Sequence, residues 1–159
     1  MIVSSPFIRC VQTSIIAAKN KNINEIFIDF RLAEFNDSFI FINPFETDKI
    51  YETTKDFLKD SDVKLTVLND SYKGGKPESE QEYFDRIKTS LKDLINIPKN
   101  ILVVTHGHSL SWKGPNLSYG EKYYVTGTEL QSGGSISDYY SKYLYYKSLY
   151  ISLKNKQIL

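Results

Sequence analysis

Four aliphatic residues in a row, Ile101-Leu102-Val103-Val104, run into Thr105-His106-Gly107-His108. A continuous apolar run of strand length suits a strand covered on both faces, which belongs in the middle of a parallel α/β sheet. Polar groups begin where this strand ends. In open α/β sheets, ligands bind beyond the carboxyl ends of the strands. Sequence order alone therefore makes His106 a candidate site residue.

The stretch before it supports an alternating α/β chain. Ile2-Val3 reads as a very short strand, followed by Ser4-Ser5-Pro6 and apolar positions Phe7, Ile8, Val11, Ile15 and Ala18 at helical spacing. Ser5 is the expected N-cap of that helix, with Pro6 at its first position, where a missing N–H costs nothing. Glu25 to Asp29 is a second short β-rich run, leading into Arg31-Leu32-Ala33-Glu34-Phe35. Residues 36–77 mix aromatic and charged positions around Pro44, Gly74, Gly75 and Pro77, and are expected to form an insertion over the sheet's carboxyl edge, with an amphipathic helix near 46–60. Ser79-Glu80-Gln81-Glu82 is a capping box, and Tyr83, Ile87, Leu91 and Leu94 share one face of the helix it opens. Pro98-Lys99-Asn100 closes this helix before the strand at Ile101. Connections of this order give a right-handed parallel arrangement.

Beyond Trp112 the pattern changes. Gly114, Pro115, Gly120, Gly127, Gly133 and Gly134 punctuate residues 113–135. Tyr139, Tyr143, Tyr146, Tyr150 and Leu153 then predict a terminal helix with an aromatic stripe suited to core packing.

At 159 residues the chain reads as one domain, able to bury roughly 70% of the surface its unfolded form exposes. Twenty Lys and Arg against 19 Asp and Glu create no global field for nucleic acid or an anionic membrane, so any anion site is local. The single cysteine, Cys10, excludes a disulfide-stapled module. With no signal-peptide pattern and no apolar run approaching roughly 18 residues, the expected location is the cytoplasm.

Three charged or titratable residues fall just beyond the three strand ends: Arg9, Glu34 and His106. Arg9 lies in the first turn of its helix, where free N–H groups and the helix dipole favour an anion and the guanidinium fork matches phosphate oxygens. A histidine can act near neutral pH as nucleophile, base or proton donor, and Glu34 could supply a proton to a leaving group. His106-Gly107-His108 is a weak metal motif, since it needs a further carboxylate or histidine. No Gly-x-Ser-x-Gly elbow suggests a serine hydrolase. Lys73-Gly74-Gly75-Lys76 lacks the spacing of a phosphate loop and is expected to be a solvated turn.

Ser4-Ser5-Pro6-Phe7-Ile8-Arg9-Cys10-Val11-Gln12-Thr13 resembles the Ser-Ser-Pro-x-x-Arg-x-x-Gln-Thr segment of the histidine phosphatase superfamily. Arg31-Leu32-Ala33-Glu34 resembles the segment carrying that family's acid, and Val103-Val104-Thr105-His106-Gly107 the strand bearing its second histidine. Within the superfamily, Phe41-Ile42-Asn43-Pro44, Asp70-Ser71-Tyr72 and Glu78-Ser79 with Arg86 are most similar to the ubiquitin-associated and SH3-domain-containing phosphatase branch. The resemblance spans residues 2–112. It implies a three-layer α/β/α sandwich, phosphoglycerate-mutase-like and lacking the first strand. It also implies metal- and cofactor-free hydrolysis of phosphate monoesters, with Arg9 holding the phosphate, Glu34 as general acid and His106 stabilising the transferring phosphoryl group.

One departure is large. The family opens with a strand ending in Arg-His-Gly, whose histidine takes up the phosphoryl group, and these 159 residues contain no such motif. The only histidines are His106 and His108. Two expectations follow: an inactive hydrolase as written, or a non-catalytic pseudophosphatase that binds a phosphate-containing small molecule or a phosphoprotein. In the family sheet the missing strand lies beside residues 101–105. Its absence would leave an unpaired edge, a template for self-association or for coverage by residues 113–159.

Overall fold

A computed structural model describes residues 1–37 and 43–109. Its sheet has four parallel strands, in the order β3-β2-β1-β4: β1 is Ile2–Ser4, β2 Glu25–Asp29, β3 Lys64–Asn69 and β4 Leu102–Val104. The helices are α1, Ile8–Asn20, α2, Thr47–Phe57, and α3, Glu80–Ile95.

Strand alternation sends neighbouring side chains to opposite faces. Ile2, Ile26, Ile28 and Val104 pack with Val11 and Ala18 of α1 and Tyr51 of α2. Val3, Phe27 and Val103 meet Tyr83, Phe84, Ile87, Leu91 and Leu94 of α3. Helices thus cover both faces of a parallel sheet, which is the expected three-layer α/β/α sandwich. Helix α3 begins on the expected capping box: Ser79 Oγ accepts from the Glu82 N–H, and Glu82 Oε2 accepts from the Ser79 N–H at 2.7 Å.

Three local expectations are corrected. β4 is not in the middle of the sheet: among the described residues it pairs with β1 alone, and Leu102 is 42% exposed. The apolar run shows only that its side chains meet hydrophobic neighbours, and packing against α3 and α1 supplies these without a second flanking strand. Helix α1 starts at Ile8, with Phe7 as N-cap and no side-chain cap, instead of at Pro6 capped by Ser5. The Ser5 N–H is drawn into the sheet by Val104 O at 2.9 Å, extending the β1–β4 ladder one residue. The insertion over 36–77 contributes a parallel strand, β3, as well as α2 within its expected range. As an edge strand β3 is half exposed along its length, so it carries no continuous apolar signal. Lys73-Gly74-Gly75-Lys76 is the expected solvated turn, with Lys73, Gly75 and Lys76 exposed, and it is joined to the start of α2: Gly75 N–H donates to Phe45 O and Thr47 N–H to Lys73 O.

The expected Tyr-striped helix over 139–153, and residues Phe41 and Ile42 of the resemblance, lie outside the described residues. Among those described, no helix is long and apolar enough to cross a membrane.

Candidate active site

Sheet register builds the site. Because Ser4 is opposite Val104 and the Ser5 N–H bonds Val104 O, the chain leaving β1 and the chain leaving β4 emerge side by side. The first turns immediately into α1, whose second residue is Arg9. The second turns at His106, where Ser109 N–H closes back onto His106 O at 3.0 Å. β2 ends in Asp29 and a single tight turn, Phe30–Leu32, after which Glu34 points toward the other two strand ends.

The three residues chosen from sequence order meet. Arg9 Nη2 lies 2.9 Å from Glu34 Oε2 and 2.8 Å from His106 Nδ1, and that same nitrogen is 3.1 Å from Glu34 Oε2. On the other edge of the ring, Ser5 Oγ is 2.8 Å from Nε2. The Phe7 ring meets the imidazole edge-on with centroids 5.0 Å apart, and the Arg9 guanidinium lies 4.9 Å from the Phe7 centroid. Arg9 is the exposed member, its side chain 53% accessible against 19% for Glu34 and 2% for His106.

Protonation follows from this geometry. Burial favours the neutral carboxyl of Glu34, but the hydrogen bond and charge of His106, the Phe35 N–H and Arg9 outweigh it and leave the group at about 2. With no anion bound, Glu34 is therefore a carboxylate, and it can serve as a proton donor only once its cationic partners turn elsewhere. His106 is pushed below its ordinary value by burial, against the pull of Glu34. The Cys10 sulfur, 3.9 Å from Nδ1 and 3.8 Å from Nε2, is held by burial at about 12, despite Arg9 and Ser5, and stays a thiol.

A fixed cation, an imidazole and a carboxylate gathered beyond the strand ends can together bind an oxyanion, hold or release a proton, and polarise a phosphate ester. Among the described residues, no group of three His, Cys, Asp or Glu could hold a metal ion. His108 turns away from the cluster and stacks among Phe35, Tyr83 and Phe84, with ring centroids 5.2–5.4 Å apart and Glu80 Oε1 3.6 Å from Nε2.

Two residues escaped sequence reasoning. Ser5 reads as a helix cap from its place before a proline, yet its hydroxyl is spent on His106. Arg86 enters the sequence reading only through the branch resemblance, with no role attached. Its guanidinium binds the main-chain oxygens of Arg31, Ala33 and Glu34, fixing the loop that presents the Glu34 carboxylate.

No curated protein and no solved structure gives a significant match to the chain. The family model of the histidine phosphatase superfamily (branch 1) matches residues 1–113, which include every element of the sheet and all three residues of the cluster. The chain belongs to the histidine phosphatase superfamily.

Proposed function

We propose that Arg9, Glu34 and His106 form the phosphate-ester site of this protein, and that the 159 residues bind phosphate monoesters without turning them over. The observation that carries this reading is the convergence of Arg9 Nη2, Glu34 Oε2 and His106 Nδ1 within 3.1 Å, from three separate strand ends. Arg9 supplies the charged fork for the phosphoryl oxygens, His106 a second donor when protonated, and Glu34 the group nearest a leaving oxygen. An incoming dianion competes with Glu34 for Arg9. As the guanidinium shifts to the ligand, the carboxylate loses a stabilising partner and gains a negative neighbour, both of which raise its affinity for a proton.

Absence of turnover rests on the sequence. The two histidines are His106 and His108, and no Arg-His-Gly occurs to accept a phosphoryl group. Losing a covalent nucleophile removes a pathway, and the electrostatic groups that remain give far smaller accelerations. The finer likeness to the ubiquitin-associated and SH3-domain-containing branch rests on Phe41-Ile42-Asn43-Pro44, Asp70-Ser71-Tyr72, Glu78-Ser79 and Arg86. The phosphate chemistry of the family favours a phosphorylated small molecule or phosphoprotein as ligand, and the lack of a signal-peptide pattern in these residues favours the cytoplasm.

Calorimetric titration with inorganic phosphate tests the binding half. Heat of binding should be present in the wild type and lost in Arg9→Ala; no binding at millimolar phosphate, or equal binding in both, overturns it. Rapid-mixing assays with an aryl phosphate test the other half, with no burst of product expected. Fast turnover abolished by His106→Ala would refute it.

A further inference from the structure

The nitrogen of His106 that faces Arg9 and Glu34, Nδ1, has two neighbours of opposite character. Arg9 Nη2, 2.8 Å from Nδ1, can only donate a hydrogen, and Glu34 Oε2, 3.1 Å away, can only accept one once ionised. The ring satisfies one of them at a time. With Nδ1 bare it accepts from Arg9 and its hydrogen is on Nε2; with a hydrogen on Nδ1 it donates to Glu34, and in the neutral ring Nε2 is then bare.

Whatever bonds Nε2 must therefore work in both directions, and the hydroxyl of Ser5, 2.8 Å away, does so. It donates to a bare nitrogen and accepts from a protonated one. Its position does not depend on the ring: the Ser5 N–H is fixed to Val104 O at 2.9 Å, and its Oγ also receives the Phe7 N–H at 3.4 Å. Cys10, nearly equidistant from both ring nitrogens, selects neither.

We infer that Ser5 is a positioning residue for His106, whose hydroxyl keeps the imidazole aimed at Arg9 and Glu34 while the ring exchanges one for the other as its partner. The inference rests on the phosphate-site reading only for its consequence in binding; the bond itself needs no ligand. Ser5 Oγ, the ring and Glu34 also follow the order of a serine-hydrolase triad. A nucleophilic Ser5 does not suit this site, because the residue is fully buried and lies across the imidazole from Arg9, the group that would hold the ester.

Two histidines in the whole chain make a nitrogen-15 NMR test direct, with His108 as the internal reference. Ser5→Ala should move the His106 Nε2 shift, because that nitrogen loses its hydroxyl partner, leave the His108 shifts in place, and weaken phosphate binding about tenfold, the scale of one hydrogen bond to a charged group. Ser5→Thr, which keeps the hydroxyl, should retain wild-type shifts and affinity. Unchanged His106 shifts in Ser5→Ala would refute the role. A phosphorylated Ser5 peptide after incubation with an aryl phosphate would replace it with a nucleophilic one. If wild type binds no phosphate, the functional reading falls while the ring shifts still decide the role of Ser5.

Discussion

Arg86 and Glu78 form a two-point ion pair, Nε to Oε2 at 3.1 Å and Nη2 to Oε1 at 2.5 Å, with both side chains 8% exposed. The remaining donors of Arg86 go to Arg31 O at 2.6 Å, Ala33 O at 3.1 Å and Glu34 O at 3.3 Å, so each of its five N–H hydrogens has a partner. Glu78 Oε1 in turn accepts from the Asn36 N–H and the Tyr72 hydroxyl, and the Tyr72 ring lies 3.8 Å beneath the guanidinium. A guanidinium this fully committed holds a loop and has nothing left for a ligand. Its work is to fix residues 31–36, and with them the Glu34 carboxylate.

Removing the guanidinium while leaving Glu78 should be costly. Arg86→Met strands a buried carboxylate and three main-chain oxygens, and urea unfolding should show a loss of about 3–5 kcal/mol. Arg86→Lys keeps the charge but cannot match the planar fork, so it should recover only part of that loss. A full recovery by lysine would mean that charge alone, and not geometry, holds the loop.

Glu34 and a phosphate dianion want the same guanidinium. Glu34→Gln should therefore tighten inorganic phosphate binding about 3- to 10-fold, since the Arg9–Glu34 pair it removes is partly exposed and worth at most about 1 kcal/mol, and a like-charged neighbour of the ligand goes with it. Weaker binding in Glu34→Gln, measured by calorimetry at fixed ionic strength, would show that the carboxylate orders the pocket instead of competing within it.

Gly74 and Gly75 both adopt left-handed backbone, with φ of +66° and +81°, at the turn that meets α2. A Cβ on Gly74 would stand 2.3 Å from Phe45 O, whereas on Gly75 the nearest atom is the flexible Glu46 Cγ at 3.8 Å. Gly75→Ala should cost about 1 kcal/mol of backbone strain, and Gly74→Ala more than about 2 kcal/mol because main chain must also move. Gly107→Ala, with no described atom within 4 Å of its new methyl and no positive φ, should unfold in urea like the wild type.

Elements carrying strong local chemistry were legible in the sequence. The Ser79–Glu82 box and the four-residue stripe of α3 announce themselves, and Glu25–Asp29 is read with its observed bounds. The candidate trio was legible because strand ends in a parallel sheet share one edge, so order along the chain becomes proximity. What could not be read depends on partners distant in sequence. β3 is half exposed and has no periodic signature, but it is held by β2 in register from Glu25–Lys64 onward. Ser5 carries the right chemistry for a helix cap and is diverted by a histidine 101 positions away. Asp29, which looks like the polar end of a strand, is fully buried and bonded to Arg31 and to Ser90 Oγ of α3.

Acid should destabilise the protein in two stages, with signs fixed by which state binds more protons. His106 and His108 are both held below the ordinary histidine value of 6.5, burial being the largest cause for each. As pH falls below 6.5 the unfolded chain protonates these rings before the folded one does, and stability declines. Glu34 adds the second stage: its folded value of about 2, against 4.5 unfolded, contributes stability that is fully present above 4.5 and is lost as pH falls toward 2. A shift of that size corresponds to at most about 3 kcal/mol. Glu34→Gln should therefore flatten the stability profile between pH 4.5 and 2 relative to wild type, while His106→Asn flattens it below 6.5 and leaves the lower stage reduced, because the imidazole is one of the groups that holds Glu34 down. Urea unfolding at a series of pH values reads both stages. Parallel wild-type and Glu34→Gln curves across the lower stage would show that the carboxylate is not held by its neighbours in solution.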